Sequence, residues 1–181
     1  MRIIIYGILM IILIIIGYLA YTFFTTRTSS PGDTLVFQDD DFLLTIDYSR
    51  PFKKGRHIFG AKADEALVPY GEYWRTGANE ATEIEFNKDI LVEGNSLQSG
   101  RYRLYTIPGE SEWIISFNSE LGQWGYFEPD YSQDILRVNV NSDSSDTFHE
   151  QFTIETNLHT DGKLELMFYW DKLVIPLKID Y

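Results

Sequence analysis

The chain begins with an apolar run of 22 residues, residues 3–24, that contains no charged side chain. At about 1.5 Å per residue, a helix of this length crosses a hydrocarbon core of roughly 30 Å. A cleaved signal peptide would have a shorter apolar core followed by small residues, whereas this run ends with Tyr21, Phe23 and Phe24. The pattern therefore predicts a transmembrane signal anchor over residues 1–24, with a cleaved signal as the alternative.

The segment after this run has no apolar pattern. Residues 25–33 read TTRTSSPGD, so we predict a linker here and a single folded domain at residues 34–181, a length sufficient for its own core. Arg2 precedes the apolar run and Arg27 follows it, so the positive-inside rule gives only a small preference for a cytoplasmic N-terminus. The expected location is a cell membrane, crossed once, with the domain on the extracytoplasmic (periplasmic or outer) side.

The domain itself is a series of short segments in which apolar and polar residues alternate, the period-2 pattern of half-buried strands. Clusters of Gly, Asn, Asp, Ser and Pro separate them, and no long segment has a helical period. Strands are expected at residues 42–48, 82–87, 90–93, 102–107, 113–118, 135–140, 148–156, 164–170 and 173–179. This pattern predicts an all-β fold, an antiparallel β-sandwich or partly open barrel of about nine to ten strands.

The last two segments give more specific expectations. Apolar residues fall on even positions in residues 164–170 and on odd positions in residues 173–179, which predicts a hairpin with a tight turn at Asp171 and Lys172. Pro176 cannot donate a ladder hydrogen bond, so the last strand is expected at a sheet edge. Across the domain, the alternation places in the core Ile84, Phe86, Leu104, Trp113, Ile115, Phe117, Leu166, Phe168 and Ile175.

Composition excludes several kinds of partner and site. Without Arg2 and Arg27, 13 of the 15 basic residues remain against 27 acidic ones, a net charge of −14. Such a surface repels nucleic acid and anionic lipid head groups, so we expect no nucleic-acid partner. The chain has no cysteine, its three histidines lack metal-ligand spacing, and it contains no phosphate-binding or dinucleotide motif. We therefore expect no metal and no cofactor.

The stretch with the most polar chemistry is residues 68–86, VPYGEYWRTGANEATEIEF. Gly and Asn within it suit left-handed backbone conformations, and an alternating strand follows from residue 82. Four residues are therefore expected on a loop beside this strand and are candidates for the floor of a polar binding pocket: Trp74, Arg75, Asn79 and Glu80. The alternative is structural: Arg75 pairs with a nearby carboxylate, for which Glu80 is the nearest candidate, and Asn79 caps the turn through its own backbone, with Asn79 and Glu80 exposed.

Two other loops carry candidate binding residues. Residues 49–60, SRPFKKGRHIFG, place five basic or histidine side chains within eight residues, among them Arg50, Arg56 and His57. This cluster suits an anion-binding loop, and the alternative is that it offsets carboxylates around it. Residues 121–131, LGQWGYFEPDY, form a long aromatic connection in which Trp124 suits sugar stacking. The alternative for this connection is a plug over the end of the core.

Several of these runs, taken in order, carry a resemblance. SRPFKKGRHIFG, LVPYGEYWRTGANEATEIEF, SGRYRLYTIPGESEWIISFN, QWG, DILRVNV and LMFYWDKLVIPLKI resemble the bacterial family known as domain of unknown function 2911. The resemblance covers nearly all of residues 42–181, and WRTGANEAT at residues 74–82 is its most specific element. It implies a secreted or envelope-attached, mostly β domain without an established activity. The chain departs from the family pattern at residues 61–66 and at Ser99, and it carries an anchor where relatives often have a removable signal.

Two classes of function remain open, beside a purely structural role. One is a membrane-tethered envelope module that binds a glycan, a peptide or an envelope protein through loops at one end of the sandwich. The other is a hydrolase or isomerase in which Glu80 is the general base, Arg75 holds an anion and His57 shuttles the proton. Convergence of these three residues in one pocket would favour the enzyme, and an aromatic surface around Trp124 would favour the binding module.

Overall fold

The computed structural model describes residues 2–160 and 162–181, which form one α-helix and twelve strands. Helix α1 comprises Arg2–Ser29. The strands are β1 (Gly32–Asp39), β2 (Phe42–Ser49), β3 (Phe59–Gly60), β4 (Val68–Pro69), β5 (Thr82–Phe86), β6 (Ile90–Val92), β7 (Asn95–Leu97), β8 (Gly100–Ile107), β9 (Glu112–Asn118), β10 (Asp134–Asn141), β11 (Asp143–Thr160) and β12 (Lys163–Asp180). Two short 3₁₀ turns lie at Lys62–Asp64 and Tyr131–Gln133.

Two antiparallel sheets build the domain. The larger has the strand order β1-β2-β5-β8-β9-β10, the smaller has the order β11-β12-β6-β7, and β3 and β4 form a separate two-residue parallel pair. Neither large sheet closes into a barrel, and the inner faces of both contribute to one apolar cluster. The prediction of a mostly β, antiparallel fold is therefore confirmed.

The core matches the alternation of the sequence. All nine side chains predicted to lie inside are at most 3% exposed. On β5, Thr82, Ile84 and Phe86 face inward, while Glu83 and Glu85 face outward. Residues in these strands alternate between apolar and polar because one face of the sheet packs on the opposite sheet and the other face meets water.

The hairpin predicted around Asp171 is wrong. β12 runs without a turn from Lys163 to Asp180 and pairs with β11, and the chain reverses before Lys163. Asp171 has φ 59°, and the register with β11 is irregular on both sides of it. One residue in a left-handed conformation moves the inward face from even to odd positions, as a turn would, so the pattern was ambiguous.

The expectation that the last strand lies at a sheet edge is also wrong, because β12 lies between β11 and β6. The pairing with β11 ends at Val174, and the pairing with β6 involves Ile179 and Asp180. Pro176 falls between these two regions of pairing. Its missing N–H is tolerated there because neither neighbour needs it.

The segment expected to be a linker is mostly regular structure. α1 continues to Ser29, and β1 begins at Gly32, which pairs with Ser49 of β2. Inside the last turns of α1, the hydroxyl of Thr25 donates to the carbonyl oxygen of Tyr21 at 2.8 Å, and other threonines donate in the same way. The helix thus continues through the Thr-rich segment, with these hydroxyls bonded back to its own carbonyl oxygens. By length and composition α1 is able to cross a membrane, and its apolar surface is exposed.

Candidate binding site beside the helix end

A cavity of about 370 Å³ lies at the end of the sandwich next to α1, with Thr26 and Ser30 on its wall. Three loops supply most of its lining: the basic loop (residues 50–57), the central loop (residues 70–81) and the aromatic loop (residues 121–131); Leu67, Val68 and Trp170 complete it. The cavity brings together five of the candidate residues, Arg56, Trp74, Arg75, Asn79 and Trp124. Loops that are distant in sequence thus meet at one site, as sandwiches commonly arrange their binding residues.

Left-handed backbone conformations give the central loop its shape. Thr76 has φ 54°, Gly77 has φ 150° and Asn79 has φ 59°, so the prediction for the Gly and Asn is confirmed. A Cβ on Gly77 would come within 2.8 Å of the carbonyl oxygen of Ser49, which makes glycine necessary there. The Thr82 hydroxyl donates to the carbonyl oxygen of Thr76 at 2.8 Å and closes the loop onto β5.

Arg75 lines the cavity without a carboxylate partner. Across residues 2–160 and 162–181, no carboxylate oxygen lies within 4.0 Å of its guanidinium, so the expected pair with Glu80 is absent. Its Nη1 makes one long bond of 3.5 Å to the carbonyl oxygen of Asn79, and its Cζ lies 6.0 Å from the ring centroid of Tyr126. Burial lowers the pKa of the Arg75 guanidinium. The group therefore keeps a positive charge whose protein neighbours do not neutralise it.

Glu80 instead pairs with Arg27 of α1, and both side chains are about half exposed. The expected exposure of Glu80 is thus confirmed, but that of Asn79 is wrong, since Asn79 is only 4% exposed. Its Nδ2 donates to the carbonyl oxygen of Ser30 at 3.0 Å. The chain leaving α1 covers Asn79, a contact between distant parts of the sequence that local patterns do not indicate.

The aromatic loop is tied directly to the central loop. Trp124 forms an antiparallel bridge with Glu80, and the Gly125 N–H donates to the carbonyl oxygen of Asn79 at 3.0 Å. A Cβ on Gly125 would lie 2.8 Å from the Cδ of Arg75, so only glycine allows this approach. The bridge places the Trp124 ring beside the cavity.

Trp74 forms the inner wall of the cavity rather than an exposed platform. It is buried and stacks on Trp170 with centroids 5.8 Å apart and planes 18° apart. Its indole N–H donates to the carbonyl oxygen of Gly77 at 3.2 Å, which satisfies its polar atom. Trp74 therefore couples the cavity to the core.

The remaining candidates lie elsewhere. Arg50 uses its guanidinium to join β1 to β11, bonding Asp33 at 3.1 Å and the Thr153 hydroxyl at 2.8 Å. His57 is exposed and, like Glu80, is not among the residues that line the cavity with Arg75. The three residues of the enzyme hypothesis thus do not converge. Within the described part of the chain, no group of three or more His, Asp or Glu side chains is placed to hold a metal ion.

Sequence reasoning missed Arg103, which holds the aromatic loop in place. Arg103 is 1% exposed, and its Nη2 donates to the Tyr73 hydroxyl at 2.6 Å and to the Phe127 carbonyl oxygen at 2.5 Å. The Tyr73 hydroxyl in turn donates to the Gly125 carbonyl oxygen at 3.0 Å, and burial raises the pKa of Tyr73. The signal available in the sequence was a long aromatic segment following two strands with polar outer faces.

The aromatic loop covers the outer face of the larger sheet, and it does not plug the end of the core. Beneath it lie Arg103 and Tyr105 of β8 and Asn118 of β9, all buried. The Tyr105 hydroxyl donates to Asp134 at 2.7 Å, where the loop rejoins the sheet, and burial raises the pKa of Tyr105 to about 12. A buried polar layer therefore fixes the loop at both ends.

One comparison with known proteins gives a match. The family described as "Protein of unknown function (DUF2911)" matches residues 30–179. No curated protein and no solved structure matches the chain. The matched range includes all three loops that line the cavity, and it starts where α1 has just ended.

Proposed function

The chain belongs to the DUF2911 family, and we propose that it is a membrane-tethered envelope module that binds a carboxylate-bearing ligand, from a glycan or a peptide, in the cavity around Arg75. The observation that carries the proposal is the half-buried Arg75 guanidinium without a carboxylate partner among the described residues. An unpaired cation in a partly desolvated place is unfavourable, and a ligand carboxylate would neutralise it with two parallel hydrogen bonds.

The rest of the cavity suits such a ligand. Arg56 supplies a second positive charge, and Trp124 and Tyr126 offer aromatic faces on which a sugar ring or an apolar side chain packs. The volume of about 370 Å³ is at the lower end of the range of roughly 300–1,000 Å³ for small-molecule sites. A ligand of one or two sugar or amino-acid units fits this space.

Charge distribution supports recognition by contact rather than by long-range attraction. The whole chain carries a net charge of −12, which repels anions at a distance. Two arginines in one cavity reverse this potential locally. We therefore expect modest association rates that rise as salt screens the long-range repulsion, and selectivity that depends on the position of the carboxylate.

Tethering follows from α1. Its apolar surface is long enough for one span, and none of its apolar window is buried within the described part of the chain. The proposal places the domain on the extracytoplasmic side of a cell membrane. A hydrolase or isomerase is not proposed, because Glu80 and His57 lie outside the cavity that Arg75 lines.

The test uses the full chain in phosphatidylcholine nanodiscs and two matched pairs of probes. Digalacturonate is compared with the α-1,4-linked galactose disaccharide for the glycan source, and Gly-Phe is compared with its C-terminal amide for the peptide source. Binding is followed by tryptophan fluorescence, since Trp74 and Trp124 line the cavity. We expect saturable binding of the charged member of one pair and none of its neutral partner.

Two variants assign the binding to the cavity. Arg75→Gln should weaken binding by roughly tenfold or more, because a bidentate charge-assisted contact is lost. Lys172→Gln makes the same change in net charge at an exposed position elsewhere and should bind like the unaltered chain. Equal binding of charged and neutral probes, or no binding of any of the four, would contradict the proposal.

A further inference from the structure

We infer that the aromatic loop rests on the bilayer that α1 spans, with Trp124 and Tyr126 in the interfacial layer of zwitterionic phospholipid on the domain's side. This inference rests on the membrane span in the proposed function, and its test needs no ligand, although Trp124 and Tyr126 also line the cavity. The acidic composition of the domain, taken alone, would not suggest a contact with lipid.

Exposure of the loop is the first observation. Trp124 is 41% exposed, Tyr126 68% and Phe127 64%, and the rings of the last two lie 5.5 Å apart. Large aromatic side chains that form a contiguous exposed surface usually mark an interaction site. Trp and Tyr in particular are enriched at the membrane–water interface, where an apolar ring and a polar group are both accommodated.

The height of the loop along α1 is the second observation. Trp124 shares a cavity of about 390 Å³ with Leu19, Thr22 and Phe23 of the apolar helix. A span of about 20 residues placed anywhere within residues 3–24 ends between Thr22 and Phe24. The helix residues beside Trp124 are thus the ones that meet the boundary of the hydrocarbon core.

Firm attachment of the domain to α1 is the third observation. The Asn79 side chain donates to the Ser30 carbonyl oxygen at 3.0 Å, the Arg50 N–H donates to the Pro31 carbonyl oxygen at 2.8 Å, and Lys54 Nζ lies 3.1 Å from the Ser29 hydroxyl. Arg27 also pairs with Glu80. Because these contacts fix the loop relative to the helix end, inserting α1 brings the loop to the lipid surface.

Charge selects the kind of lipid. The domain is strongly acidic overall, and Glu128 and Asp130 lie within the aromatic loop itself, so anionic head groups are disfavoured. Aromatic insertion into zwitterionic lipid does not require attraction between opposite charges. The contact should therefore persist at high salt, unlike a contact that depends on basic residues.

The absence of cysteine from the sequence makes a direct test simple, since each introduced cysteine carries the only spin label. The full chain in phosphatidylcholine vesicles is labelled at one of three positions, in the variants Phe23→Cys, Tyr126→Cys and Leu158→Cys. Leu158 pairs with Leu164, six residues before the cavity residue Trp170, and is therefore about 20 Å away along the strand. Accessibility to oxygen and to a water-soluble nickel complex reports the depth of each label.

The expected pattern is a label in lipid at residue 23, an interfacial label at residue 126 and an aqueous label at residue 158. A lipid-exposed label at residue 23 together with an aqueous label at residue 126 would overturn this inference and leave the membrane span intact. An aqueous label at residue 23 would overturn both. The outcomes of the two proposals are therefore distinguishable.

A second measurement, fluorescence quenching, uses the unaltered chain with its intact aromatic loop as the reference. Of the four tryptophans, Trp74, Trp113 and Trp170 are buried in the domain, so brominated phosphatidylcholine should quench mainly Trp124. The conservative variant Trp124→Phe should remove most of the quenchable fluorescence. Equal quenching in the variant and the unaltered chain would contradict the inference.

Discussion

The outer face of the larger sheet has an open half and a covered half, and two arginines on β8 show the difference. Arg101 is about one-third exposed and contacts three carboxylates, Glu83 at 2.6 Å, Asp47 at 2.7 Å and Glu85 at 3.1 Å. Arg103, two residues further on, is 1% exposed; its short hydrogen bonds go to neutral oxygens of the central and aromatic loops, and one carboxylate, that of Glu120, lies 3.5 Å away. Identical side chains on one strand face thus have opposite surroundings.

The difference lies in what covers each arginine. Neighbouring strands supply the carboxylates around Arg101, so that half of the face is balanced within the sheet. A loop distant in sequence supplies the partners of Arg103. Arg75 belongs to neither arrangement, because the described residues offer it neither a carboxylate within 4.0 Å nor a set of short hydrogen bonds. Arg101 and Arg103 each have short hydrogen bonds and at least one carboxylate within 4.0 Å, and the candidate binding arginine has neither among the described residues.

The largest expected effect comes from the covered half. Arg103→Ala should lower the free energy of unfolding by about 3 kcal/mol, because it leaves a cavity and removes the donor that fixes the aromatic loop. The measurement is urea unfolding of the domain in nanodiscs, followed by tryptophan fluorescence. Lys172→Ala, at an exposed basic residue on β12, is the control and should change little. A loss below about 1 kcal/mol for Arg103→Ala would show that the two halves do not differ energetically.

A smaller effect is expected in the open half. Arg101→Ala should lower the free energy of unfolding by about 1–2 kcal/mol, since partly exposed ion pairs contribute little individually but three are lost and their carboxylates repel each other. The same urea unfolding at low and high salt measures it. Salt should reduce the difference between the variant and the unaltered chain, and a difference independent of salt would contradict an electrostatic origin.

The pH dependence of stability is a second test of the ion pairs around Arg101. A hydrogen bond from Thr34, and then Arg101, lower the pKa of Asp47. A lowered folded pKa gives stability that is present above the ordinary value of about 4 and is lost as the pH falls through the folded value. Arg101→Ala should therefore lose less stability than the unaltered chain as the pH falls below about 4. An equal or steeper loss in the variant would exclude this role of Arg101.

The smallest effect on stability is expected at the cavity. Arg75→Ala should change the free energy of unfolding by no more than about 0.5 kcal/mol, since one long hydrogen bond is lost and an unpaired charge is removed. Thermal melts of Arg75→Ala, Glu80→Ala and the double variant measure it. The double variant should equal the sum of the single ones, because the two side chains do not pair. Strong destabilisation by Arg75→Ala would make the arginine structural and remove the main support for a site.

Much of the fold follows from local pattern. The alternation in β5 and β8 correctly placed Ile84 and Leu104 in the core. It failed at Asp171, where a left-handed residue within a strand produces the same change of phase as a turn. Period-2 patterns record which face a residue occupies, but they do not record whether the chain continues or reverses.

The candidate site was predictable only in part. Composition and turn residues selected three loops, and residues from all three line one cavity. What the sequence did not indicate were the partners across long separations, such as Asn79 with Ser30 and Glu80 with Arg27. These contacts depend on α1 continuing beyond the apolar run to Ser29, which the apolar pattern does not indicate.

The direct junction between α1 and β1 limits how far the domain can move from the end of the helix. Only residues 30 and 31 separate the helix from the strand. A flexible linker of the nine residues 25–33 would instead have a root-mean-square end-to-end distance of about 16 Å. If α1 spans the membrane as proposed, the cavity stays within a thin aqueous layer next to the lipid surface. A ligand would then be found by lateral diffusion within that layer. A fragment that starts at Thr34 would lose Thr26 and Ser30 from the cavity wall and should bind more weakly than the intact chain.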